Sequence, residues 1–88
     1  MTTKHTPGPW KVDEAEDLPL AVIEDTADGH GIAELGERNP CSVANARLIA
    51  AAPDLLAALE QIAAVYPKTA EAEKLAAIAH AAIAKATQ

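Results

Sequence analysis

Apolar and polar positions alternate over the first third of the chain and recur at helical spacing over the second half. Trp10-Lys11-Val12-Asp13 alternates, the pattern of a half-buried strand. Leu20 to Glu24 reads as a second strand. Asp28-Gly29-His30-Gly31 is a hairpin-type turn, and Ile32 to Leu35 makes a short third strand. Pro7-Gly8 is a turn signal, with proline at the first central position and glycine supplying positive φ at the second. Gly36 to Pro40 is a polar loop. Ser42 is placed to cap a helix over Val43 to Ala51. Pro53 breaks that helix and opens another, with Asp54 in its first turn. In the second helix Leu55, Leu59, Ile62 and Tyr66 share one face, and Tyr66-Pro67 ends it. Thr69 caps a third helix, Ala70 to about Ala86, with an apolar stripe of Leu75, Ile78, Ala79, Ala82 and Ile83.

A three-stranded sheet needs one face covered, and helices supply the cover. The expected fold is therefore α+β: a three-stranded antiparallel sheet, then a helix and a C-terminal antiparallel helical hairpin packed on one face. With 88 residues the chain is a single domain: 1–6 a flexible arm, 7–36 a β-meander, 42–86 helical. A chain this short buries a modest core, and association often supplies the remainder.

Composition sharpens that expectation. Alanine makes up a quarter of the chain, and Trp10 and Tyr66 are its only aromatics. Trp10 is therefore the largest side chain available to fill the space between sheet and helices. The His5–Trp10 stretch reads as a folded-back lead-in with a core plug. The functional alternative is that the arm and Trp10 rim a pocket.

The net charge of −6 is unevenly placed. Residues 1–40 hold Asp13, Glu14, Glu16, Asp17, Glu24, Asp25, Asp28, Glu34 and Glu37 against Lys4, Lys11 and Arg38, whereas residues 41–88 are balanced. An acidic half repels phosphates, so direct nucleic-acid binding is not expected. The strongly helical stretch Ala44 to Tyr66 carries a single base, Arg47. Cys41 stands alone, which excludes an internal disulfide. The polar, proline-broken start carries no signal-peptide pattern, and no uninterrupted apolar run reaches membrane-spanning length. The reading is a cytoplasmic protein without membrane contact.

Candidate chemistry is sparse. Asn45 and Arg47 interrupt an apolar helix. Either Asn45 bonds loop backbone and Arg47 pairs with a sheet carboxylate such as Glu34, or the two hold an anionic ligand or partner, for which the guanidinium fork is suited. His5, His30, His80 and Cys41 lack ligand spacing, so no metal and no cofactor is expected. Gly29-His30-Gly31 lacks the lysine and following helix of a phosphate loop. So small a chain offers few convergent polar groups, and an enzyme is not expected. Ala72, Ala76, Ala79 and Ala82 would let another helix approach closely, in the hairpin itself or in a homo-oligomer. The ligand- or partner-binding candidates are His5, Trp10, Asn45 and Arg47.

Thr6-Pro7-Gly8-Pro9-Trp10 and the run Ala44 to Glu60 (ANARLIAAAPDLLAALE) resemble the motifs of a group of small bacteriophage and prophage proteins. The resemblance implies a phage accessory protein in the cytoplasm of a bacterial host and transfers no catalytic residues. By analogy it suggests a non-enzymatic binding protein that inhibits host anti-phage defence, by binding a host protein or sequestering a small anionic nucleotide signal. The alternative is a structural or assembly accessory with no ligand.

Overall fold

The computed structural model describes residues 5–13, 15, 19–64 and 69–87. Residues 1–4 of the expected arm, and the Tyr66-Pro67 helix end, lie outside them. The chain divides into two units, Met1–Pro53 and Asp54–Gln88. The architecture is α+β, a three-stranded antiparallel sheet followed by three helices.

In the first unit β1 (Trp10–Val12), β2 (Leu20–Glu24) and β3 (Gly31–Gly36) form a sheet in sequence order. Trp10 pairs with Glu24 and Val12 with Val22 across β1 and β2. Ala21 pairs with Glu34 and Val22 with Ala33 across β2 and β3, with register irregularities beside both pairs. Strand periodicity sends Leu20 and Val22 to one face, where both are fully buried. Helix α1 (Pro40–Ala50) lies over that face through the small, fully buried Ala46. Trp10, Val12, Leu35, Val43 and Ile49 close the cluster around them. The turn after β2 uses Gly29 at φ 59°, whose N–H is accepted by Thr26 Oγ1 at 3.2 Å. Gly36 at φ 77° ends β3.

Helix α1 starts three residues earlier than expected. Asn39, not Ser42, is the N-cap: its side chain accepts from Ser42 N, and Ser42 Oγ accepts from Asn39 N, each at 2.9 Å. Pro40 occupies the first helical position, where its missing N–H costs nothing. Ser42 thus acts in the first turn as the reciprocal half of a capping box. Its hydroxyl also donates to Glu37 O at 2.7 Å. Arg38 anchors the same loop by donating to Asp13 O at 3.1 Å and Ala15 O at 2.9 Å.

The second unit carries α2 (Ala52–Ala64, beginning just before the boundary) and α3 (Ala70–Ala86). Thr69 caps α3 as expected, accepting from Ala72 N at 3.1 Å. The helix faces differ from expectation. On α3 the covered stripe is Ala72, Ala76, Ala79 and Ile83, whereas Leu75, Ile78 and Ala82 are exposed. On α2 the half-buried side chains are Leu56, Leu59 and Ala63, and the expected face members Leu55 and Ile62 stand out. The reason is the alanine content: a helix with small apolar residues all round can bury its narrow side. Among the described residues, no single helix is long and apolar enough to cross a membrane.

Candidate functional site

His5 to Trp10 folds back on itself at the start of β1. The Trp10 indole is half-buried against the core cluster, and its Nε1–H donates to Pro7 O at 3.3 Å. The His5 ring meets it edge-on, with centroids 6.3 Å apart. Pro9 O accepts from Asp25 N at 2.9 Å, which fixes the lead-in to the sheet, and Lys11 Nζ lies 3.6 Å from Asp25.

Gly8 plays a different part from the one its sequence context suggests. It does not have positive φ. It is small because Pro53 occupies the adjacent space: a Cβ on Gly8 would lie 2.7 Å from Pro53 Cβ and 3.1 Å from Pro53 Cγ. The N-terminal turn therefore seats on the proline that interrupts α1 and α2. No local pattern in the sequence links two residues so far apart. Gly8→Ala is expected to lower stability by about 1–2 kcal/mol through overpacking at this contact, read as a lower urea midpoint at unchanged m.

The four candidate residues fall into two groups. His5 and Trp10 touch each other. Asn45 and Arg47 are exposed on α1, and neither side chain makes a hydrogen bond or ion pair among the described residues. In particular, the expected pairing of Arg47 with Glu34 is not present there. Residues two apart on a helix point to opposite flanks, so Asn45 and Arg47 do not converge on one small ligand. Between them, on the crest of the helix, stands Leu48, 64% exposed. Sequence reasoning passed over Leu48 because a leucine in an apolar run reads as core.

The sheet offers one shallow, open depression of about 410 Å³, lined by Asp13, Ala21, Ile32 and Glu34 among others. Two carboxylates at its wall oppose an anionic occupant. His30 pairs with Glu24 at 3.1 Å, and His80 and Cys41 are exposed on separate helices. Among the described residues, no three His, Cys, Asp or Glu side chains gather at metal-holding distance.

A family model, that of Salmonella phage P22 protein Y8K6, matches residues 1–88. The chain belongs to this phage protein family. No curated protein and no solved structure matches it. The family covers the folded-back N-terminus, the sheet and all three helices alike, so the features described above lie within one family unit. The phage setting implied by the sequence resemblance is thereby established at the level of the family.

Proposed function

We propose that this family member is a non-enzymatic accessory protein that binds a host protein, and so works against host anti-phage defence, rather than sequestering a small anion. The observation that carries the reading is the outer face of α1. There an exposed Leu48 is flanked by Asn45 and Arg47, whose side chains bond no side chain or backbone among the described residues, an apolar centre with polar margins. An apolar centre with a polar rim is the make-up of protein interfaces, and arginine is enriched among the residues that carry their affinity. The acidic wall of the sheet depression speaks against an anionic nucleotide there. The anti-defence role rests on the phage setting and is an analogy.

The test is to express the chain in defence-bearing bacterial hosts, plate susceptible phage and recover bound host proteins by affinity capture. Plating should rise in at least one host. A specific host protein should be captured by the parent chain and lost with Leu48→Asp, which is expected to cost about 1 kcal/mol, from helix propensity and a negative charge in the last turn of α1, and to leave the circular dichroism spectrum unchanged. Unchanged plating in every host, or capture indifferent to Leu48→Asp, would sink the proposal. Recovery of the chain as a stoichiometric part of purified virions would replace it with an assembly role.

A further inference from the structure

Helix α3 turns two of its three large apolar side chains outward. Leu75 and Ile78 are 62% and 66% exposed, while Ala76 and Ala79 are buried. At 3.6 residues per turn, Glu71, Leu75, Ile78, Ala82 and Lys85 fall within an arc of about 80°. Their spacing of four, three, four and three residues is that of a two-helix seam. All five are exposed. Of the alanine stripe that first suggested an oligomer, Ala72, Ala76 and Ala79 lie on the covered side of α3, whereas Ala82 belongs to the exposed seam.

The seam is complementary to itself. Ile78 lies midway between Glu71 and Lys85 in the sequence. If two copies of α3 cross antiparallel about a two-fold axis at Ile78, each Glu71 falls opposite the partner copy's Lys85, and each Leu75 falls beside the partner copy's small Ala81 and Ala82. Neither Glu71 nor Lys85 takes part in an ion pair within the chain among the described residues. A parallel crossing in register would set Glu71 against Glu71 and Lys85 against Lys85, so the charges choose the orientation. The antiparallel arrangement also opposes the two helix dipoles.

We infer that the exposed Glu71–Lys85 face of α3 is the docking surface for a second copy of this chain, paired antiparallel across Ile78. This does not rest on the host-protein reading, which concerns α1. The 17 residues of α3 run about 25 Å. Two such helices bury less than the roughly 800 Å² per partner of a standard interface, so the dimer is concentration-dependent.

The experiment is sedimentation equilibrium of the full chain over a wide concentration range, with charge variants. The parent chain should form a dimer. Glu71→Lys and Lys85→Glu should each weaken it at least about tenfold, because the symmetry makes each change twice and sets like charges together. The double exchange should restore association to within about threefold of the parent. Glu73→Lys makes the same change to the first turn of α3 but lies off the seam, and should leave the dimer intact. In a Cys41→Ser background, Ile78→Cys should cross-link to itself on mild oxidation, since only a residue at the axis meets its own copy. A monomer throughout, a dimer that ignores the single reversals, or a double exchange no better than either one would overturn the assignment.

Discussion

Leu20→Ala is expected to lower the melting temperature by about 12–24 °C. Leu20 and Val22 are the largest fully buried side chains in the described structure, and the residue facing them from α1 is Ala46. Deleting a buried leucine side chain costs about 2–5 kcal/mol, partly through the cavity left behind. The site has little means of collapse, because it is fully enclosed between sheet and helix and its neighbour on the helix is already minimal. A loss of about 3 kcal/mol is a large part of the total stability of a domain this size, and each kcal/mol moves the midpoint by about 4–8 °C. Circular dichroism melting checks it. An unchanged midpoint would mean that the sheet–α1 cluster is not the core of the first unit.

Trp10→Ala is expected to cost about 2–3 kcal/mol, and Trp10→Phe about 1 kcal/mol. The pair of substitutions separates volume from polarity. Phenylalanine keeps most of the apolar contact with the buried cluster of Leu20, Val22 and Ala46 but loses the Nε1–H donation to Pro7 O. That carbonyl is reached by water, so its loss of a partner adds little. Denaturation followed by circular dichroism is the appropriate measurement, since the indole is the only tryptophan and cannot report on its own removal. A neutral Trp10→Ala would show that the indole is a rim to be studied for binding. A large loss rescued by phenylalanine would make it a core plug.

The strands were legible because their signals are local. Alternation marks β1, a run of branched residues bounded by proline and acids marks β2, and glycine turns bound β3. The helices were legible in number and order, from Pro53 and Thr69. Their faces were not. A rule that seeks the stripe with the largest side chains puts Leu75 and Ile78 inside, but an alanine-rich helix has apolar residues on several sides and buries the narrow one. The start of α1 was misplaced because the capping box here is built from Asn39 and Ser42, with serine where glutamate or glutamine is usual. The candidate site was legible only as residue types. Periodicity shows that Asn45 and Arg47 diverge, but only the fold shows that Leu48 between them is exposed and that Gly8 meets Pro53.

The Gly8–Pro53 contact has a consequence for how the chain is made. The strands leave the ribosome first, yet the buried residue of their cover, Ala46, follows 24 residues after Val22, and Pro53 later still. At a synthesis rate of about 5–20 residues per second, Leu20 to Ile23 waits about 1.5–6 s between its own appearance and that of Pro53. A short apolar strand left waiting is an aggregation hazard, and charged neighbours are the usual protection. The acidic residues crowded into the first forty positions stand on both sides of that strand. Charges so placed match the pattern of gatekeepers, which hinder a waiting strand from pairing with another before its helix arrives.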